Sequence, residues 1–288
     1  MREVSCVIPT HGRPDLLTES LQAVANQTGV TGLQVIVVDD MSQKATEHVV
    51  TSFAARYPQI EFVYAARPAG GGASASRNFG ADRSDSELLA FLDDDDMWEP
   101  EYLSAARKAL EESGAAMAVA WMKRITRGGE VLPHYSIASE LAETDVIARN
   151  PGITGSNFVI RRKSFDLIHG FDSNLPVSND KDFFARFLAE SLPYVVIEKR
   201  FVFHRQHSDD QLTSWDERRA AGLVSYLHKY RTKATLRDRR YLRRQIHSIR
   251  FRTAGSPLMK LGHVVGLAVN SDPRDLARKV VQKVGSRR

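Results

Sequence analysis

Cysteine is nearly absent from this chain of 288 residues. The single Cys6 lies in a predicted strand, so no disulfide framework can form within the chain, and we interpret it as a small buried side chain in a reducing compartment. No stretch reaches the roughly 18 uninterrupted apolar residues of a transmembrane helix, and the residues from Arg2 onward lack a signal-peptide pattern. We therefore expect a cytoplasmic protein, with or without peripheral attachment at the inner face of a membrane.

The dinucleotide-binding and Walker glycine patterns are also missing. A shorter glycine cluster, Gly70 to Gly72, precedes a predicted helix that contains Arg77 and Asn78. Its backbone N–H groups could hold a phosphate while Arg77 supplies positive charge. The cluster alone does not establish phosphate binding.

The net charge of +5 is unevenly distributed. Residues 231–288 contain 16 Lys and Arg against three Asp, a net charge of +13, whereas residues 1–230 have a net charge of −8. This shift predicts a domain boundary near residues 215 to 230, and we divide the chain into domains at 1–215 and 216–288. The composition, 42% hydrophobic and 26% charged, is that of an ordinary globular protein.

Apolar runs and amphipathic segments alternate through the first half of the chain, which predicts an α/β fold with a mainly parallel sheet and helices on both faces. The predicted strands are Val4–Pro9, Leu33–Val38, Ile60–Ala65, Leu88–Leu92, Ala115–Trp121 and Asn157–Arg161. The predicted helices are Pro14–Asn26, Gln43–Arg56, Ala73–Asp82, Pro100–Ser113 and Asp180–Ser191.

Four consecutive aspartates, Asp93 to Asp96 (the acidic quartet), follow one of these apolar strands directly. The carboxyl edge of a parallel sheet is where ligands bind. Crowded carboxylates repel one another less once a divalent cation enters, and Mg²⁺ or Mn²⁺ binds oxygen ligands together with substrate phosphates. The quartet therefore predicts a site for a metal and a phosphate.

Two other strands end in polar residues at the same predicted edge. The first is followed by a segment that contains His11 and Arg13, and the second by Asp39 and Asp40. The acidic pair could accept hydrogen bonds from a base or a ribose, or it could cap the next helix. The sequence leaves both interpretations open.

Seven segments, in order, resemble the GT-A glycosyltransferases of family 2. They are VSCVIPTHGRPDLL, VIVVDDMSQ, GGASASRNFGA, LLAFLDDDDMWEPEYL, GSNFVIRRKSF, GFDSNLPVSNDKDFFARF and FHRQHSDDQLTS, and they span roughly residues 3 to 214. The resemblance implies a Rossmann-like GT-A fold, a nucleotide-sugar donor such as a UDP-sugar, a divalent cation and an inverting transfer.

The resemblance also implies roles for particular residues. Asp180 matches the catalytic base, with Asp182 as the fallback, and the neighbouring Asn179 departs from the family's usual Glu. In the acidic quartet, Asp95 would bind the metal and Asp93 and Asp94 the donor, with Asp96 a competing ligand. The other implied nucleotide-sugar contacts are Pro9, Thr10, His11, Arg13, Asp40 and Arg77.

Four further residues have implied positions. His204 and His207 lie where related enzymes place a histidine near the phosphates or the metal, and His207 fits the spacing better. We place Trp98 and Asn157 on the acceptor side, although Trp98 could equally anchor the following helix in the core. Without the resemblance, Asp180 would be interpreted as a first-turn acid that stabilises the helix dipole.

The basic C-terminal region, expected to be mostly helical, permits two interpretations. Its arginines alternate with apolar side chains, which is typical of a segment that contacts anionic lipid, or of helices that cover the catalytic domain with solvated charges. We expect no nucleic-acid partner, because no reader motif accompanies the charge.

We predict an inverting, metal-dependent glycosyltransferase of polysaccharide or glycoconjugate biosynthesis, acting on a carbohydrate, lipid-linked or small-molecule acceptor. The alternatives are a noncatalytic protein of the same fold that binds a nucleotide sugar or an anionic surface, and a sugar nucleotidyltransferase.

Overall fold

A computed structural model describes residues 2–67, 71–126, 128–205 and 216–271. Gly70 and His207, two residues named above, lie outside the described residues. The chain forms two compact units. The first contains the described residues within 1–174 and 179–208, and the second those within 175–178 and 209–288.

The first half of unit one is a regular alternation of strands and helices. Its strands are mostly apolar, and the first two are buried at every position, as expected for strands covered on both faces. The elements are β1 (Val4–Thr10), α1 (Pro14–Ala25), β2 (Leu33–Asp39), α2 (Lys44–Arg56), β3 (Glu61–Ala66), α3 (Gly72–Ala81) and β4 (Leu88–Phe91).

The second half of unit one is less regular. Its elements are β5 (Met97–Trp98), α4 (Tyr102–Ser113), β6 (Met117–Ile125), β7 (Val131–Pro133), α5 (Glu143–Val146), β8 (Phe158–Arg161), α6 (Arg162–Leu167), α7 (Asn179–Ala189) and β9 (Tyr194–Arg205). Apolar periodicity in the sequence did not indicate β5, β7, β9, α5 or α6. Most of these elements are short, and β9 is largely half-exposed rather than apolar throughout, so periodicity did not reveal them.

All these strands join one sheet, in the order β3-β2-β1-β4-β8-β6-β9-β5, with β7 paired to β6. The four neighbouring strands β3, β2, β1 and β4 are parallel, as predicted, because a helix connects each of them to the next along the chain. In contrast, β8 is antiparallel to both β4 and β6, and β5 is antiparallel to β9. The short turn between β6 and β7 permits only an antiparallel pair.

Helices cover both faces of this sheet. Ala90 and Leu92 pack in a core with residues of α1 and α4, including Leu21 and Leu103. Phe91, which lies between them in sequence, points to the opposite face because successive strand residues alternate. There it packs with the buried rings of Phe158, Phe165 of α6 and Phe171, and Phe183 of α7 stacks on Phe171.

Unit two is helical, as predicted for the C-terminal region. It contains α8 (Glu217–Lys229), α9 (Leu236–Thr253) and α10 (Pro257–Val269). Val177, Ala220, Leu223, Ile246 and Ile249 form its small core. Thr235 and Asp238 cap the start of α9 reciprocally. No residue of α10 is buried. Within the described residues, no helix is both long and apolar enough to cross a membrane.

Candidate functional site

The carboxyl ends of three neighbouring strands bring most of the predicted site residues to one edge of the sheet. β1 pairs in parallel with both β2 and β4, and Thr10 lies opposite Asp39 in the register of β1 and β2. His11 and Arg13 follow β1, and the acidic quartet follows β4 within two residues. This is the edge at which open α/β sheets bind their ligands.

Asp94 is buried at this edge and is bonded on both of its carboxylate oxygens. The Thr10 hydroxyl donates to Oδ2 at 2.7 Å, Arg13 Nε donates to the same oxygen at 3.3 Å, and Arg13 Nη2 donates to Oδ1. Burial raises the pKa of Asp94, although Arg13 opposes the shift. Thr10 and Arg13 thus contact both oxygens of Asp94, and its contact with the nucleotide stays a prediction.

Asp95 lies nearer the surface than Asp94, with 12% of its side chain exposed. Its Oδ2 accepts a hydrogen bond from Arg13 Nη1 at 3.2 Å. Burial, followed by the charges of Asp96 and Asp93, raises the pKa of Asp95 to about 7. The site therefore disfavours a negative charge on Asp95 unless a cation shares it.

The donor set around Asp95 fits a hard divalent cation shared with a substrate. Among the described residues, no three metal-ligating side chains converge on one point. However, Mg²⁺ is usually held by only one or two carboxylates together with substrate phosphates and water. Asp95 can supply such a carboxylate, and Asp93, whose side chain is 30% exposed, lies two residues before it. These carboxylates fit Mg²⁺ or Mn²⁺, and the metal site with Asp95 as its ligand stays a prediction.

Asp96 points away from the surface, toward β9. Its Oδ1 accepts a hydrogen bond from the Arg205 backbone N–H at 3.2 Å and lies 3.2 Å from His204 Nδ1. Burial lowers the pKa of His204, but the charges of Asp96, Asp95 and Asp93 outweigh this effect and raise it to about 9. A charged His204 thus neutralises Asp96, which is completely buried, so Asp96 is a poor candidate for the competing metal ligand.

His134 extends this buried array toward the β6–β7 hairpin. Its ring stacks on that of His204, with centres 5.6 Å apart and planes inclined by 10°. Burial, followed by the positive charge of His204, lowers the pKa of His134 to about 4. His134 is therefore neutral at physiological pH and can accept or donate a hydrogen bond.

Arg77 of α3 connects the donor side of the site to the predicted base. Its Nη2 donates to Asp93 Oδ1 at 2.5 Å, and its Nη1 lies 3.6 Å from Asp180 Oδ1. Only 3% of the Arg77 side chain is exposed, and its guanidinium carbon lies 5.1 Å from the centre of the Phe171 ring. Within the described part of the chain, Nε and Nη1 of Arg77 donate no hydrogen bond.

The neighbouring Asn78 has a structural role. Its Nδ2 donates to the Phe171 carbonyl at 2.8 Å, and its Oδ1 accepts from the Phe171 backbone N–H at 2.8 Å. These two bonds fix the chain at Phe171, whose ring contacts Arg77. Asn78 therefore fixes the position of Phe171, against which the Arg77 guanidinium packs.

Asp180 lies in the first turn of α7 and has 24% of its side chain exposed. Burial raises the pKa of Asp180 to about 6, with Arg77 opposing the shift and Asp93 adding to it. A carboxylate with a pKa near neutrality is suited to accept a proton. Asn179, in place of the family's usual Glu, donates through Nδ2 to Ser74 Oγ at 3.0 Å and so attaches α7 to α3.

Asp182, the fallback base, is completely buried. Its Oδ2 accepts a hydrogen bond from Arg186 Nε at 2.8 Å, one turn later in the same helix. Burial and this bond to Arg186 make Asp182 less accessible than Asp180, and the fallback assignment stays a prediction.

The two members of the acidic pair after β2 make different contacts. Asp39 is buried and accepts the backbone N–H groups of Met41 at 2.9 Å and Gln43 at 2.7 Å. Asp40 Oδ1 lies 2.6 Å from Nδ1 of His11, whose side chain is 70% exposed. The turn-stabilising role thus belongs to Asp39, whereas Asp40, whose side chain is 10% exposed, pairs with His11. Pro9 is buried at the end of β1.

Trp98 and Asn157 are both buried, and their acceptor-side positions stay predictions. Trp98 is 4% exposed, packs on Tyr102, and donates through Nε1 to the Ser156 carbonyl at 2.7 Å. Asn157 is completely buried and donates through Nδ2 to the carbonyls of Ala120 and Gly152, each at 2.9 Å. Both side chains hold the backbone of the loop before β8.

Three residues that help to shape the site were not predicted from the sequence. Ser156 Oγ accepts a hydrogen bond from the Asp93 backbone N–H at 3.0 Å. Arg205 Nη2 pairs with Glu19, and its Nε donates to the Asp95 carbonyl at 3.4 Å. His134 is the third. None of these has a local sequence signal, because each acts on a residue distant in the chain.

Comparison with known proteins gives consistent similarities. Residues 5–168 match the family model described as glycosyl transferase family 2. Over 254 residues, the chain is 26% identical to the putative colanic acid biosynthesis glycosyl transferase WcaA of Escherichia coli, covering 86% of this chain and 88% of that protein.

Two solved structures share the fold. The mannosyltransferase PcManGT from Pyrobaculum calidifontis, in complex with GDP-Man and Mn²⁺, has a TM-score of 0.64 and 16% identity, covering 98% of this chain and 85% of that one. S. aureus TarS 1-349, in complex with UDP-GlcNAc, has a TM-score of 0.62 and 16% identity, covering 93% and 89%. The predicted GT-A fold is confirmed.

The family model spans more than half of the chain, and its matched segment contains β1 to β4 with the acidic quartet. The chain therefore belongs to glycosyl transferase family 2.

Proposed function

We propose that this family 2 glycosyltransferase moves a sugar from a nucleoside-diphosphate sugar to an acceptor hydroxyl in a single inverting displacement. The observation that carries the proposal is the position of Arg77, whose guanidinium lies against both Asp93 and Asp180. It joins a carboxylate of the predicted donor site to the predicted base. One site can thus hold the leaving group and accept the acceptor's proton.

On the donor side of the site, arginine side chains form ion pairs with carboxylates. Arg13 and Arg77, each paired with members of the acidic quartet, lie where a diphosphate would bring its charge. When bound, a Mg²⁺ or Mn²⁺ held by Asp95 would neutralise charge on the departing diphosphate. Asp40, beside His11, is the candidate contact for the base or ribose.

Asp180 supplies the acid–base chemistry. Its raised pKa lets the carboxylate accept a proton from the acceptor hydroxyl as that oxygen attacks the anomeric carbon. Once Asp180 is protonated and neutral, Asp93 is the charged partner that remains beside Arg77. One carboxylate suffices, since the displacement forms no covalent enzyme intermediate.

The similar proteins support a nucleotide-sugar donor. One solved structure contains UDP-GlcNAc, another contains GDP-Man with Mn²⁺, and a relative is named for colanic acid biosynthesis. We infer a role in polysaccharide or glycoconjugate synthesis, with a carbohydrate, lipid-linked or small-molecule acceptor.

The test begins with a panel of nucleotide sugars, each added with and without Mn²⁺ or Mg²⁺, with thermal stabilisation as the measurement. The donor that stabilises the protein is then used to measure turnover of wild type and Asp180→Asn. We expect release of a nucleoside diphosphate by the wild type and retained donor binding without turnover in the variant. A parallel assay supplies a nucleoside triphosphate and a sugar 1-phosphate, and release of pyrophosphate there would instead identify a nucleotidyltransferase.

We also propose that unit two contacts an anionic lipid surface. Leu258, Leu261, Val265 and Val269 form a stripe along α10, with exposures of 80%, 60%, 56% and 69%. The helix packs on α9 through a different face, where Gly266 lies against His247. The preceding α9 contains seven arginines and one aspartate. An apolar stripe next to an arginine-rich helix complements a bilayer with acidic headgroups.

A further inference from the structure

The Arg77 guanidinium occupies space that only a glycine at position 155 leaves open. A Cβ atom built on Gly155 would lie 2.4 Å from Arg77 Nη2, 2.7 Å from its Cζ and 2.9 Å from its Nε. These are its three nearest atoms, and all belong to the guanidinium. Distances below 3.0 Å are too short for real Cβ contacts, so a side chain at this position and the observed guanidinium exclude each other.

The backbone at Gly155 cannot easily move aside. On one side, Asn157 Oδ1 accepts a hydrogen bond from the Thr154 N–H at 2.8 Å. On the other side, Ser156 accepts from the Asp93 N–H through its hydroxyl and from Trp98 through its carbonyl. The loop is thus held at both residues that flank Gly155.

The Arg77 side chain, in contrast, can move. The guanidinium is the far end of a long side chain, and its Nε and Nη1 donate no hydrogen bond within the described residues. Gly155 itself is not in the left-handed backbone region, so an alanine there introduces no backbone strain. A methyl group at position 155 should therefore displace the guanidinium rather than the loop.

We propose that Gly155 is a positioning residue, which by lacking a side chain keeps the Arg77 guanidinium against both Asp93 and Asp180. The catalytic consequence rests on the proposed function, since it takes Asp180 as the base and Asp93 as part of the donor site. The buried Trp98 and Asn157 belong to the same arrangement, because they hold the loop that carries Gly155.

The experiment is a double-mutant cycle between positions 155 and 77. The four proteins are wild type, Gly155→Ala, Arg77→Lys and the double variant, each measured for kcat, donor KM and affinity for a nucleoside diphosphate with Mn²⁺. Gly128→Ala is the matched control, because a Cβ there meets nothing closer than Thr126 Oγ1 at 3.9 Å. Melting temperatures report whether each variant is folded.

In the wild-type background, we expect Gly155→Ala to lower kcat by about 10- to 100-fold, as misplacement of a catalytic-site group by about 1 Å can do. In the Arg77→Lys background, where no guanidinium remains to be displaced, the same change should alter kcat by less than about twofold. Gly128→Ala should behave as wild type. Equal losses from Gly155→Ala in both backgrounds, or no loss in either, would overturn the proposal.

Nucleotide affinity separates this proposal from the assignment of Asp180 as the base. If Asp180→Asn retains turnover, the base assignment is wrong, but the coupling between positions 155 and 77 is still measured by nucleoside diphosphate binding. Non-additive effects on that affinity support the positioning role. Additive effects on both affinity and kcat show that Gly155 acts without Arg77.

Discussion

Nη1 of Arg77 lies 3.6 Å from Oδ1 of Asp180, although one residue belongs to α3 and the other to α7. The same guanidinium donates to Asp93 through Nη2. An arginine between two carboxylates favours the charged form of each, while burial opposes it. Asp180 thus has a pKa of about 6 and lies beside Arg77, which also has Asp93 as a partner when Asp180 becomes neutral.

Replacement of Asp180 by Asn should lower kcat by about 10²- to 10⁴-fold, because general-base catalysis contributes that much. Donor affinity should change little, since Asn keeps the size of the side chain. Steady-state kinetics with the stabilising donor measure the effect. Asp166→Asn, an exposed acid on α6, is the matched control and should retain wild-type kcat. A variant with intact turnover would refute the base assignment.

Removal of the Asp95 carboxylate should abolish the dependence on Mn²⁺ or Mg²⁺. In Asp95→Asn, we expect the nucleoside diphosphate to raise the melting temperature equally with and without the metal. The wild type should instead require the metal for full stabilisation, since Asp95 and the phosphates share it. If the variant still shows metal-dependent stabilisation, the cation is held elsewhere.

The stabilisation that Asp95 and Asp180 give the metal-free protein should disappear as the pH rises. The folded-state pKa values of Asp95 and Asp180, about 7 and about 6, exceed the ordinary value of an aspartate. The folded state therefore binds protons more tightly than the unfolded state, and the resulting stabilisation is complete below about pH 4 and disappears as the pH passes through about 6 to 7. Urea titrations across this range measure it, and the decline should be smaller in Asp95→Asn. An equal decline in that variant would contradict the prediction.

Asn157→Ala should destabilise the protein rather than selectively weaken acceptor binding. The change leaves the buried carbonyls of Ala120 and Gly152 without their donor, and each unsatisfied group costs about 1–3 kcal/mol. The free energy of unfolding from urea titration gives the result. Unchanged stability with a raised acceptor KM would contradict this expectation and support the acceptor-side position of Asn157.

Leu261→Asp should weaken binding to vesicles that contain phosphatidylglycerol by about tenfold, since burial of a leucine contributes about 1.5–3 kcal/mol. Leu167→Asp in unit one is the matched control, because Leu167 has a similar exposure of 53% against 60%. Sedimentation with anionic and with neutral vesicles measures the difference. Equal binding of both variants and the wild type would show that α10 does not contact the lipid.

Prediction from the sequence succeeded where the signal was local. The apolar runs marked β1, β2 and β4, and the polar residues after them met at one edge because parallel neighbours end on the same side. The neighbours of Asp94 in sequence gave no hint that Arg13 and Thr10 would contact both its oxygens. The burial of Asn157 was likewise not predicted, and for Trp98 the core and the acceptor side both stayed open, because burial depends on the strands and loops packed around these residues.

The sequence by itself determined the alternation of strands and helices, the acidic quartet at a strand end and the family resemblance, because these depend on the order of residues along the chain. Only the tertiary structure decided which carboxylates stay accessible, that Asp180 shares Arg77 with Asp93, and that Gly155 leaves room for the guanidinium. Those relationships join segments far apart in the chain, and the packing that brings them within a few ångströms also sets their charges through burial.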